Sequence, residues 1–348
     1  MQNKIAHAAE RKAFELVLDG VVKYAKKERT KGFVQLVNAT QKILGDTWTD
    51  GAYDNMRRFL GTDSKWSRML INLMDTVDPH VLKTLVLNAG YEGGFRGYRE
   101  VQKNGQELGC NLPWVIIFDP TSACNMHCTG CWAAEYGKKL NLSFEDMDSI
   151  ITQGKELGIH VYMMTGGEPL VRKADVIRLA EKHDDCAFMI FTNGTLVDDK
   201  FCEDMKRVGN IMLSLSVEGF AEATDSRRGQ GTFGRVMETM DRLHKNGLVY
   251  GTSICYTSVN YKDVTSDDFL DLLISKGVSY SWYFHYMPVG NNADTSLLLT
   301  PEQRQYMYHR VREIRDWEGG KPIFTMDFQN DAEFVGGCIA GGKNYCHI

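Results

Sequence analysis

From Trp114 onward, short apolar runs alternate with longer segments whose apolar residues recur at helical spacing. "WVIIFDPT" is β-branched and aromatic and predicts a strand, while "MDSIITQGKELG" predicts a helix, with Ser143 of "NLSFED" as its N-cap. The alternation continues through "HVYMMTGG", a helix after Arg172, "CAFMIFTNG", a helix around Phe201 to Val208, and "IMLSLSVEG". A helix from Phe233 to His244, "VYGTSICYTS", a helix from Phe269 to Ser275 and "YSWYFHYMPVG" complete it. Six strands with intervening helices predict βαβ units and a parallel sheet, hence the α/β class, as a barrel or a doubly wound sheet. Nearly every strand ends in Gly, Ser, Thr or Asn, and in such folds the chemistry lies at the carboxyl ends of the strands.

Residues 1–110 differ. "FELVLDGVVKYAKK", "GFVQLVNATQKIL" and "KWSRMLINLM" are helical patterns parted by Gly and Asp turns, which predicts a helical N-terminal domain. Residues 4–31 hold eight Lys or Arg against four Asp or Glu, either as a solvated face over a small core or as a surface for a membrane or partner. The chain's 348 residues, 43% of them hydrophobic, suffice for a large α/β domain and an appendage. No secretory signal and no apolar run of about 18 residues is present, so a cytoplasmic location is expected, with membrane association through the N-terminal helices as an extension of it. A net charge of −5 gives no reason to expect nucleic acid.

Nine cysteines, three of them in "CNMHCTGC", fit metal or redox chemistry better than a disulfide framework. Cys124, Cys128 and Cys131 follow directly on the first predicted strand. Three thiolates suit a [4Fe–4S] cluster with one iron left open; zinc with His127 as fourth ligand, or unrelated core thiols, also match the spacing. "MMTGGEP" closes the second strand with Gly166, Gly167 and Glu168: two glycines admit a close approach, and the carboxylate suits an ammonium group. The pair of motifs, in this order on consecutive strands, is far more specific than either alone.

Over roughly Trp114 to Gly290 the chain resembles the radical S-adenosylmethionine (radical SAM) superfamily, whose signature is CxxxCxxC after the first strand of a partial (β/α)6, TIM-like barrel. The resemblance implies SAM bound at the open iron, its reductive cleavage with an electron from a flavodoxin- or ferredoxin-type protein, and a 5′-deoxyadenosyl radical that abstracts hydrogen from substrate. It also implies roles for particular residues. Gly166, Gly167 and Glu168 meet the methionine amino group; Thr192 and Asn193 close strand three; Ser214, Ser216 and Glu218 lie on one face of strand four, with Ser216 the choice for the ribose. Arg228, with Arg227 second, approaches the SAM carboxylate, and Met287 is a wall for the adenine. Members usually carry an aromatic residue just before the third cysteine; here Gly130 stands there and Trp132 just after, which leaves the adenine contact open. Cys110, Cys186, Cys202 and Cys255 read as core.

"GGCIAGGKNYCHI" resembles the opening of SPASM or twitch extensions, whose cysteines hold an auxiliary iron–sulfur cluster. Cys338 and Cys346 alone cannot complete one, and the chain stops in what reads as a new strand, so it reads as truncated. The expected organisation is a helical domain (1–110), the barrel (111–320) and the start of that extension (321–348). The expected substrate is large, a peptide or protein or a lipid. A non-catalytic iron–sulfur or zinc protein on the same fold is the alternative, against which Glu168 argues, since a dead homologue has no need of it.

Overall fold

The computed structural model describes residues 2–44, 49–290, 292–316, 320–335 and 343–348. The N-terminal region is helical, as its pattern predicts: α1 (Gln2–Glu28), α2 (Thr30–Leu44), α3 (Asp50–Leu60), α4 (Lys65–Thr76) and α5 (Pro79–Leu85) lead through a π-helical stretch, Val86–Gly97, into α6 (Tyr98–Leu108). The cap residues set the starts. Thr49 accepts from the Ala52 amide, Ser64 and Ser67 cap α4 reciprocally, and Asp78 precedes Pro79 at the first turn of α5. Helix α3 and the π-helical stretch escape the sequence reading because one is short and polar and the other is interrupted by glycines. Among the described residues no helix is long and apolar enough to cross a membrane.

The remainder is β1 (Val115–Phe118), α7 (Phe144–Glu156), β2 (Val161–Met164), α8 (Lys173–Lys182), β3 (Ala187–Thr192), α9 (Asp199–Val208) and β4 (Ile211–Ser216). Then follow α10 (Ala221–Arg228), α11 (Thr232–Lys245), β5 (Tyr250–Tyr256), α12 (Asp267–Ser275), β6 (Tyr280–His285), α13 (Pro301–Arg315), β7 (Phe324–Asp327) and β8 (Tyr345–His347). All eight strands are parallel, in the order β7-β6-β5-β4-β3-β2-β1-β8, and the sheet curls into a partial barrel. The six predicted strands are present in order, and Ser143 caps α7. The strand read at "CHI" is β8, which pairs with β1. Residues 324–327 and 345–347 thus form the two edge strands of the sheet.

Alternation along the strands divides the protein into two apolar regions, as a parallel sheet buried on both faces requires. Ile116, Phe118, Tyr162, Met164, Phe188 and Ile190 face outward into the main core beneath the helices. Their neighbours Val115, Ile117, Val161, Met163, Met189 and Phe191 face inward and, with Trp282 and Tyr345, make a separate cluster. The two edges approach each other through side chains: the ring of Phe328, just after β7, lies 5.9 Å from that of Tyr345 on β8.

The N-terminal helices cover the amino ends of the strands. Gly93 and Gly97 let the π-helical stretch approach the sheet closely; a Cβ at Gly93 would press on Val161, and one at Gly97 would collide with the Gly158 carbonyl. Glu92, fully buried, holds α1 to this stretch: its carboxylate accepts from Arg11 at 2.6 Å, from Arg96 at 2.7 Å and lies 3.0 Å from His7 Nε2. Burial pushes its carboxyl up, but the bonds from Arg96 and Arg11 outweigh burial and hold it below the usual range. Glu92→Ala should therefore destabilise the fold by about 3 kcal/mol, the low end for a buried pair because its cations still reach solvent. Urea unfolding at neutral pH measures this. Because the folded carboxyl sits low, the wild-type advantage is present above the ordinary carboxylate range and fades as the pH falls through the folded value.

Candidate active site

The loop bearing Cys124, Cys128 and Cys131 leaves the carboxyl end of β1 and has few backbone bonds of its own, so its geometry comes from the ends of β2 and β3. Gly167 N donates to Thr121 O at 2.9 Å and Glu168 N to Ala123 O at 2.8 Å. A Cβ on Gly166 would meet Thr121 O at 2.7 Å, and one on Gly167 would collide with the Ala123 carbonyl; Gly166 also has φ +105°. The glycine pair therefore admits the backbone of the cysteine loop, whereas the sequence suggests the approach of a ligand.

Glu168 is almost wholly buried, and protein donors engage its carboxylate. Thr192 Oγ1 donates to it at 2.7 Å, Asn193 N at 2.8 Å and Leu170 N at 2.9 Å. Burial raises its carboxyl above the usual range, with the three donors opposing. The chain continues to the cysteine loop: Asn193 Nδ2 donates to Asn125 Oδ1, and Asn125 Nδ2 to Thr195 Oγ1, both at 2.8 Å. Glu168, Thr192 and Asn193 all reach the cavity wall, but their polar atoms knit strand ends together.

The cavity has a volume of about 1980 Å3, and Cys124, Cys128 and Cys131 stand together on its wall. Burial raises the Cys124 and Cys128 thiols, and at Cys128 the Arg228 and Arg227 guanidiniums oppose it. Among the described residues, the one trio of metal-ligating side chains whose donor atoms lie within 4.8 Å of one another is His160, Asp185 and Cys186; the three loop sulfurs are spread more widely. A single zinc ion, with sulfur at about 2.3 Å, draws its ligands closer than that, whereas ligands on different corners of a [4Fe–4S] cluster stand farther apart. His127 is exposed and off the cavity wall. The donor set fits a cluster.

Residues 118–274 match the family model of the Radical SAM superfamily. They form a radical SAM domain. Over 231 residues the chain is 25% identical to the Fe-coproporphyrin III synthase of Methanosarcina barkeri, covering 64% of this chain and 57% of that protein. It is also 25% identical over 250 residues to the mycofactocin maturase MftC of Mycolicibacterium smegmatis, covering 69% of this chain and 61% of that one. The chain thus spans less than two thirds of the length of either relative. In fold it is similar to Streptococcus suis SuiB, solved bound to S-adenosylmethionine, with a TM-score of 0.58 at 16% identity over 94% of this chain and 69% of that one.

Of the predicted site residues, Ser216, Arg227, Arg228 and Trp132 of the radical SAM domain line the cavity, as do Gly166, Gly167 and, beyond the matched residues, Met287. Two predicted residues do not. Ser214 points inward, but its hydroxyl is 2.8 Å from that of Tyr280, whose ring crosses over Gly251 and fills the space in front of it. Glu218 is buried off the wall, where it accepts from Arg227 at 2.5 Å, Arg228 at 2.7 Å and Cys255 N at 2.9 Å. It aims the two arginines at the cavity, and Thr129 N, in the cysteine loop, donates to Arg227 O at 2.9 Å. Cys346 packs against the main core, and Cys338 lies outside the described residues.

Three wall residues escape the sequence reading. Cys255, read as core, stands at the carboxyl end of β5 on the cavity wall. His347 of β8 reaches it too, 3.0 Å from Asp119, whose carboxylate raises the imidazole above its usual value. Tyr286, after β6, is buried against Gly130: a Cβ there would lie 2.5 Å from its hydroxyl oxygen. This explains the glycine before the third cysteine, because a tyrosine just beyond the distant strand β6 occupies the place of a side chain. Gly290 repeats the arrangement against the Cys131 carbonyl. Gly130→Ala, at φ +64°, should lower SAM affinity at least tenfold by displacing the cysteine loop, and Tyr286→Leu should restore part of it. Isothermal titration with SAM on the two single variants and the double variant measures the coupling.

Proposed function

We propose that the protein is a radical SAM enzyme that abstracts a hydrogen atom from an unactivated carbon of a large substrate. Cys124, Cys128 and Cys131 would hold the cluster. When bound, the [4Fe–4S] cluster would supply the one-electron reduction of SAM from which hydrogen abstraction follows, the electron coming from a flavodoxin- or ferredoxin-type donor. The chain's own residues orient and shield. The backbone of Gly166 and Gly167 lies beside the cysteine loop to meet the methionine amino group, and Arg228, aimed by Glu218, takes the carboxylate as a charge-assisted partner. Ser216 takes the ribose, and Tyr286, Trp132 and Met287 bound the adenine side and exclude water.

The observation that carries this reading is the meeting of three unpaired thiols, the glycine–glycine–glutamate strand end and two arginines on one cavity wall. Relatives include maturases, and SuiB is also solved bound to the precursor peptide SuiA, which favours a peptide substrate; the cavity's walls favour a lipid. Anaerobic reconstitution with iron and sulfide should give a brown protein that forms 5′-deoxyadenosine from SAM after dithionite reduction. Cys128→Ala should lose both the colour and at least 99% of the product. Chromatography of the quenched reaction decides; product persisting in that variant would remove Cys128 from the ligand set.

A further inference from the structure

Away from the cysteine loop, the cavity follows the inner face of the sheet and ends beneath α3 and α4, where Met56, Phe59, Leu60, Trp66, Met69 and Leu70 line it. We propose that this lumen holds the hydrocarbon chain of a lipid, extended along the barrel with one carbon presented beside the cysteine loop. The inference rests on the radical SAM reading, since it names the substrate of that same site.

Size is the first ground. A pocket for one small ligand measures about 300–1,000 Å3, so a cavity of about 1980 Å3 has space for SAM and a second, comparably large molecule. The wall is the second. Between the polar strand ends and the amino ends of the strands, the inward positions are apolar or aromatic: Ile117, Met163, Met189, Phe191, Trp282 and Phe284. Phe191, Trp282 and Phe284 form one aromatic cluster, with centroids 5.6 to 6.1 Å apart, which Phe328 extends towards Tyr345. The β7 side is charged, with Arg312, Glu313, Arg315, Asp316, Asp327 and Asp331 on the wall; Arg315 and Asp331 are joined there at 2.7 Å, so the apolar track runs along β1, β2, β3 and β6.

Such a wall discriminates between substrates. A peptide threaded here would bury an N–H and a C=O for each residue, and each needs a partner. The strands lining the lumen already spend these groups on one another, and the apolar side chains along β1, β2, β3 and β6 offer none. A hydrocarbon chain needs no partner and gains from each methylene removed from water. Methionine is frequent on the wall, with Met163, Met189, Met212 and Met326 from strands and Met56 and Met69 from helices; its flexible thioether adapts to a flexible chain.

The far end supplies an entrance. Trp114 and Phe324, at the amino ends of β1 and β7, line the cavity yet are 40% and 36% exposed. Large apolar groups left in water at the rim of a cavity mark a site of interaction. The helices covering this end carry exposed Leu16, Val17, Lys23, Lys26 and Lys27 on α1, the apolar and basic groups that suit approach to an anionic bilayer.

The test uses the full chain and cis-parinaric acid, a slender fatty acid that fluoresces when shielded from water. Saturable binding at micromolar concentration, displaced by palmitate or by geranylgeraniol according to the chain it prefers, is the expected result. Met189→Trp, which fills the lumen, and Phe324→Glu, which charges its exposed rim, should each weaken binding at least tenfold. Should the first variant fail to fold, the second, at a partly exposed position, still decides. Protein that forms 5′-deoxyadenosine but shows no saturable binding, or binds equally in both variants, overturns the lipid inference and leaves the radical SAM reading intact. Protein that binds the probe but never forms 5′-deoxyadenosine overturns that reading and leaves the lumen assignment standing. Deuterium reaching 5′-deoxyadenosine from a labelled peptide and from no perdeuterated lipid overturns the inference as well.

Discussion

A loop that presents three thiols to one cavity cannot rely on regular secondary structure for its shape, and in this protein the end of β2 supplies what the loop lacks. Two amides of the glycine–glutamate turn donate to two carbonyls of the cysteine loop, and the Glu168 carboxylate collects donors from Thr192, Asn193 and Leu170. A buried carboxylate with three donors is worth holding in place only if all three are kept. Each hydrogen bond to a charged acceptor contributes about 1.5–3 kcal/mol, and an orphaned donor costs a comparable amount. Three consecutive strand ends are therefore fixed relative to one another, and the cysteines with them.

The second constraint is on the other side of the cavity. Glu218 is buried, so it must be paired, and it is paired with both Arg227 and Arg228 and with the backbone of β5. The result places two cations beside Cys128 without letting either wander. The cysteine loop is thus gripped from two directions, by β2 and β3 on one side and by the end of α10 on the other, while Tyr286 and Gly290 from the β6 loop close on it from a third.

A sheet with apolar residues on both faces has to bury both. Helices cover the outer face; inside the curl, the inward side chains of β1 to β3 and β6 leave a space that they line without filling it, with Tyr280 closing one side across Gly251. The N-terminal helices then cap the end remote from the cysteines, fastened by Glu92 and by Lys65, whose ammonium donates to Ile314 O and which burial brings down to about 8. The chemistry and the bulk of the apolar wall consequently lie in one continuous cavity.

Much of this was legible in the residues. The six strands and their helices follow from apolar runs of the right length, and the two motifs are local, so Cys124, Cys128, Cys131, Gly166, Gly167 and Glu168 could be named before any contact was known. The edge strands β7 and β8 were harder: each is too short to carry a pattern, and only pairing with β6 and β1 makes them strands. Alternation put Ser214 and Ser216 on one face, but whether an inward serine meets the cavity depends on what another strand places in front of it. Tyr280 covers the first, whereas the second lines the cavity. The same reason kept Cys255, His347 and Tyr286 out of sight, since their importance comes from what lies far away in the chain: the cavity itself for Cys255, Asp119 for His347 and Gly130 for Tyr286. The order of elements and the identity of the motif residues belong to the sequence, because both are short-range. Which side chains share the cavity was decided by the tertiary structure, because filling space is a contest among residues that only folding brings together.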